Sequence, residues 1–269
     1  MSSTENQQRF INLVQSKLSE SEIRWLHQKT TVLSDLNNFK KFPIFFSLAA
    51  RFISNEISQW NIEELQQMEN IYPGFGKSSW TKQDLARVVL MIQLDASHNK
   101  QILESFFESA EMLELVSFFK GLYLLENASE FTKSVEEGIR TNMVNVFDSF
   151  TAGNPYASTY LEEWAWNQLI LKAFFMDRPL YTIHNLDRGK NANLANMLQD
   201  FVKERWAAGR TVSPEIWRMI EGNLRDDVKQ LILNRSFEGT EKRAIDMVLN
   251  TSNESKTETF WDNIGKNKT

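Results

Sequence analysis

The chain has 269 residues, with 30 Lys and Arg against 35 Asp and Glu, and no cysteine. A net charge of −5 leaves no electrostatic footprint for nucleic acid, and the missing thiols exclude disulfides, thiolate zinc sites and cysteine nucleophiles. The length suffices to bury about three quarters of the unfolded chain's surface, and ten Gly, five Pro and almost no β-branched alternation point to helix nearly throughout.

The opening residues MSSTENQQRF lack the basic-then-apolar plan of a signal peptide, and no apolar run approaches the ~18 residues of a membrane span. A cytoplasmic protein is expected. From Glu5 to Lys17, Phe10, Leu13, Val14 and Leu18 form an amphipathic stripe, and Ser19 or Ser21 caps a second helix carrying Ile23, Leu26, Val32, Leu33 and Leu36. Pro43 suits the first turn of a third helix, and IEELQQME is a short fourth that ends at the Pro-Gly loop IYPGFGKSSW. Thr81 with Asp84 reads as a capping box before the apolar helix Leu85 to Leu94. Helices over about 100–109 and 111–124 follow with almost no linker, which predicts antiparallel neighbours.

One helical face then runs through Phe131, Val135, Ile139, Met143, Val146 and Phe150, with Asn142 near it. Tyr160 to Phe175 is apolar on nearly every side, which predicts a helix enclosed by others. Asn191 caps a helix from Ala192 to Ala208 that Gly209 ends in the left-handed conformation, and Ser213-Pro214 opens the short helix IWRMIEG. Helices over 224–233 and 241–249 precede a polar tail in which FWDNI is expected to form a docking helix, because an exposed cluster of Phe260, Trp261 and Ile264 costs solubility. The fold class expected is all-α, with stacked antiparallel helix pairs of the HEAT-like α-solenoid kind. Residues 1–250 form one domain and 251–269 a tail.

His27, His98 and His184 stand far apart without a second ligand type at helical spacing, so neither a metal nor a cofactor is expected. Asn142 is either a core amide bonding a helix end or a ligand group, and Arg140 either pairs with Glu136 or serves a site. Glu163 and Asn167 share a side at spacing four; they orient a ligand, or stabilise a helix start. Trp164, Trp166, Trp206 and Trp217 wall a pocket or fill a core. The helical count places Arg205 on the inward stripe with Leu194, Leu198 and Phe201, where a carboxylate must meet it: Asp187, Glu163 or Asp148.

The segments EGIRTNMVNVFD (137–148), NPY (154–156), WNQLILKAFF (166–175), LDRGKNANLANML (186–198) and ERWAAGRTVSPEIWR (204–218) together resemble the EboA domain family. The resemblance is best over 137–218, and Ala192 departs from a pattern that often has Pro after the capping Asn. It implies a helical, HEAT-like protein without an assigned activity or established catalytic residues. It also implies an operon that makes or exports a secondary metabolite or its precursor, alongside proteins resembling a membrane prenyltransferase, a sugar-phosphate cyclase, a metal-dependent hydrolase, a TIM-barrel isomerase and a phosphatase.

The function expected is therefore that of a non-catalytic scaffold or binding protein, whose partners are other products of the operon or a small metabolite. The ligand-binding candidates are Arg140, Asn142, Glu163, Trp166, Asn167, Asp187, Arg205 and Trp206. The alternative is an enzyme acting on a small polar or prenylated metabolite in a pocket lined by Arg140, Asn142, Asn167 and Arg205, with Glu163 or Asp187 as acid or base.

Overall fold

The computed structural model describes residues 3–35, 37–249 and 258–267. Leu36, residues 250–257 and the side chain of His98 lie outside that description. Among the described residues the regular structure is helical throughout, with sixteen α-helices, short 3-10 turns, no strand and one isolated bridge between Ile57 and Thr81. The chain divides into two compact units, Met1–Leu161 and Glu162–Thr269.

The first unit contains α1 (Ser3–Gln15), α2 (Glu20–Leu33), α3 (Phe42–Phe52), α4 (Ile62–Ile71), α5 (Lys82–Ile92), α6 (Ala96–Ser109), α7 (Met112–Gly121), α8 (Thr132–Gly138), α9 (Val144–Thr151) and α10 (Tyr156–Tyr160). Local sequence sets the starts. Ser19, Asn61 and Thr81 each close a capping box with the acid three residues on, and Pro43 sits in the first turn of α3. Helix α5 is the centre of the unit, buried at every position from Gln83 to Met91, and α3, α5, α7 and α9 pack successively one on the next.

The seam between α5 and α7 is polar. Asp84 and Arg87 face Glu114, Ser117 and Lys120, all five of them buried. Lys120 Nζ donates to Asp84 Oδ2 at 2.8 Å and to the Ser79 carbonyl at 2.7 Å, and Ser117 Oγ donates to Asp84 Oδ1 at 2.7 Å. Arg87 Nε donates to the Phe46 carbonyl and Nη1 to that of Leu113, while Glu114 accepts from Ser47. Each buried charge thus has partners, the condition under which burial is tolerated.

The face read through 131–150 is two helices. The chain leaves helical geometry after Gly138, where a Cβ would stand 2.7 Å from the Phe119 ring, and Thr141 Oγ1 accepts from Met143 N to turn it into α9. Met143 is consequently 42% exposed, and Asn142 sits exposed in the break. The NPY segment is a joint: buried Asn154 donates to the Phe119 and Ser149 carbonyls and accepts from Tyr156 N, while Tyr156 OH donates to the Ala128 carbonyl at 2.6 Å. Beside it Gly153 (φ +60°) lies backbone to backbone against Gly74 (φ +94°). Gly153→Ala would place a methyl inside the Gly74 carbonyl oxygen and in a disfavoured conformation. A loss of about 2 kcal/mol in chemical denaturation is expected; an unchanged midpoint would refute the contact.

The second unit contains α11 (Glu163–Phe175), α12 (Ala192–Ala207), α13 (Ile216–Ile220), α14 (Asp226–Leu233), α15 (Gly239–Leu249) and α16 (Glu258–Lys266). The helix expected over Tyr160–Phe175 starts only at Glu163, after extended Leu161 and Glu162, and one side is open: Trp164 is 58% and Phe175 75% exposed. Asn191 caps α12 by accepting from Leu194 N at 2.8 Å, and Gly209 (φ +67°) ends it. The docking helix expected in the tail is α16, with Trp261 and Ile264 buried.

Candidate functional site

In the second unit, polar groups meet apolar walls in two places. The first is built on α13, whose five residues are all buried because Ile, Trp, Met and Ile surround a single arginine. Arg218 is 1% exposed. Its Nε and Nη2 grip both oxygens of Asp187, at 2.9 and 2.6 Å, and Nη1 donates to Asp262 of α16 at 2.8 Å. Asp187 is presented by a 3-10 turn entered through Asn185 at φ +53°. Lys190 lies 2.9 Å from Asp187 and 3.3 Å from Glu221, and Glu221 also accepts from Trp261 Nε1 at 3.2 Å. Burial alone would raise the Asp187 carboxyl, but hydrogen bonds and charge from Arg218 and Lys190 outweigh it and hold the group at about 2. Buried Glu215 accepts from the backbone of Leu180 and Tyr181.

The second place is a groove of about 740 Å³ walled by Phe174, Phe175 and Phe201, the turn 211–214 and the start of α15. The turn at Gly209 brings the Thr211 carbonyl back to the last turn of α12, where Arg205 Nε and Nη2 both donate to it at 3.1 and 2.9 Å. That bond fixes the guanidinium against the groove wall, over the Phe201 ring at 6.0 Å. Ser213 Oγ is buried there without a hydrogen-bond partner. Asp177, Glu238 and Glu241 also line the groove, and burial raises the Glu241 carboxyl, partly countered by Arg235. Three carboxylates to one guanidinium disfavour a polyanion. The lining suits a neutral or zwitterionic molecule with an apolar body, some donors, and one acceptor for Arg205.

Of the eight candidates from the sequence, Arg205 lines this groove. Arg140 and Asn142 belong to the first unit and are exposed on it. Glu163 accepts from Asn193 Nδ2 at 3.0 Å, and buried Asn167 exchanges side-chain hydrogen bonds with Asn191 at 3.3 and 2.9 Å, which ties α11 to the cap of α12. Trp166 lies against Gly189, where any Cβ would enter its indole ring, and Trp206 packs between Trp217 and Phe237 with Arg235 4.6 Å above it. Arg205 does not take the carboxylate expected of it. The returning Thr211 carbonyl satisfies it instead, while Asp187 goes to Arg218. The signal for Arg218 was its place in IWRMI, a cation flanked by apolar residues on both sides.

Among the described residues no three His, Asp or Glu side chains gather as a metal set, and no helix is long and apolar enough to cross a membrane. The fold defines an all-helical protein of two compact units, each with a hollow of ligand size: about 470 Å³ beside Gln7, Gln93 and Asn99 in the first, and the larger groove beside Arg205 in the second. The chain belongs to the EboA family: the family model, described as metabolite traffic protein EboA, matches residues 6–221. The match runs well before the 137–218 stretch of best resemblance and stops ahead of α14. No curated protein and no solved structure matches the chain.

Proposed function

We propose that the protein is a non-catalytic binding protein of metabolite traffic. It holds a small metabolite in the groove beside Arg205 and works in the cytoplasm with other products of its operon, supporting synthesis or export of a secondary metabolite or its precursor. The groove itself carries the reading: its volume falls within the roughly 300–1,000 Å³ of small-molecule sites, three phenylalanines stand among its otherwise mostly polar lining, and its guanidinium is anchored from behind. Asp187, the acid or base of a catalytic reading, is a poor base with its pKa at about 2 and is committed to Arg218. Within the first unit, the succession of α3, α5, α7 and α9 supports a HEAT-like stacking of antiparallel helix pairs.

The test is mass spectrometry of small molecules released by denaturing the protein purified from its native host. One species should accompany the wild type and fall at least about tenfold with Arg205→Gln. It should persist with Arg24→Gln, which alters an exposed pair on the first unit. A wild-type protein that carries no small molecule would overturn the reading.

A further inference from the structure

Helix α16 is held by a few specific side chains rather than by a broad apolar face. Trp261 and Ile264 are buried, Trp261 Nε1 reaches Glu221, and Asp262 reaches Arg218. Gly265 lets the helix backbone close on its seat, since a Cβ there would stand 2.5 Å from both Glu215 and Tyr181. The receiving groups Tyr181, Glu215, Arg218 and Glu221 all lie inside the family match at 6–221, whereas α16 lies outside it. The seat thus lies within the family-matched region, and its occupant lies beyond it with α14 and α15. With a helix seated Arg218 is 1% exposed, so a helix that replaces α16 must offer its Nη1 an acceptor, and a carboxylate matches its charge as well.

We propose that this seat is a docking site for a short helix of a partner protein, and that α16 occupies it in cis. The partner helix has the pattern that α16 displays: a tryptophan, a carboxylate next to it, an aliphatic residue at the third position on and a glycine at the fourth. This is recognition of an amphipathic helix in a groove, with a Trp and an Arg-carboxylate pair as its anchors. The inference goes beyond the ligand reading, and the two sites meet at one point. Thr240, on the groove wall, donates to the Asn267 carbonyl at the end of α16, so exchange of α16 for a partner helix frees that wall.

A labelled peptide of residues 256–269 tests this by fluorescence anisotropy against the full chain and against the full chain carrying Trp261→Ala and Asp262→Ala. The doubly substituted chain, with its own helix released, should bind the peptide at least about tenfold more tightly than the wild type. Asp262→Asn or Gly265→Val in the peptide should weaken binding about tenfold or more. Hydrogen exchange at 258–267 should be fast in the substituted chain, and saturating peptide should remove protection there in the wild type, a readout that does not depend on the substitutions. Equal affinity for both chains, indifference to the peptide changes, or undiminished protection would overturn the proposal. So would binding of the full chain to itself through α16, seen as a dimer by light scattering, which would make a second copy the occupant.

Discussion

Lys120→Met is expected to destabilise the first unit by roughly 3–5 kcal/mol, because it leaves the buried Asp84 carboxylate without its ion-pair partner. Ser117 Oγ and Thr81 N would remain on Asp84, but neither carries charge. Burial by itself raises the Asp84 carboxyl; the charge and hydrogen bond of Lys120, with Ser117 and the Thr81 backbone, bring it below its ordinary value of 3.8. In the wild type that stabilisation is present above about pH 4 and lost as pH falls through the folded value. In Lys120→Met burial prevails and the carboxyl is raised, so the deficit is greatest at neutral pH and narrows as acid protonates the group. Denaturation of both proteins at pH 7 and pH 5 checks both size and direction. Asp84→Asn combined with Lys120→Met should recover part of the loss; coincident curves for wild type and Lys120→Met would refute the buried pair.

Arg218→Met is expected to destabilise the second unit by about 3 kcal/mol and to release α16. The loss is smaller than a fully buried pair would give, because Asp187 keeps 37% of its side-chain surface in water. Arg218→Lys should fall between, since an ammonium cannot span both oxygens of Asp187 and reach Asp262 as well. Asp187 titrates at about 2 rather than 3.8, so its contribution holds from neutral pH to about pH 4 and is lost as pH falls toward 2. Arg218→Met should lose most of that acid-sensitive component, with only Lys190 left on Asp187. Guanidinium unfolding at pH 7, 4 and 3, with exchange at 258–267 as a second probe, separates these outcomes; a stability gap between wild type and Arg218→Met that stays constant from pH 7 to 3 would sink the assignment.

What the sequence made legible was local. Caps at Ser19, Thr81 and Asn191, the proline at 43 and the stop at Gly209 are each decided within about four residues, and each stands where expected. The break at 139–143 was hidden because Val135 and Val146 stay buried on either side of it; the contact that Gly138 makes possible, with the Phe119 ring, comes from another helix. Arg205 and Arg218 show the same limit at the site. Helical spacing gave a direction for Arg205, but a carbonyl returning around Gly209 decided its partner, and the carboxylate proposed for it went to an arginine in a helix too short to show a period. Arg87 and Lys120 interrupt apolar runs, and such interruptions mark the α5/α7 seam as IWRMI marks the Asp187 pair.

The place of α16 has a consequence during synthesis. Arg218 is made 44 residues before Asp262. At about 5–20 residues per second, roughly 2–9 s separate the two, and in that interval the guanidinium has Asp187 but not its second carboxylate. Glu221 likewise waits for the indole of Trp261. A nascent chain that has released residue 221 from the ribosome but not yet Asp262 holds the whole family-matched region with this helix seat unfilled.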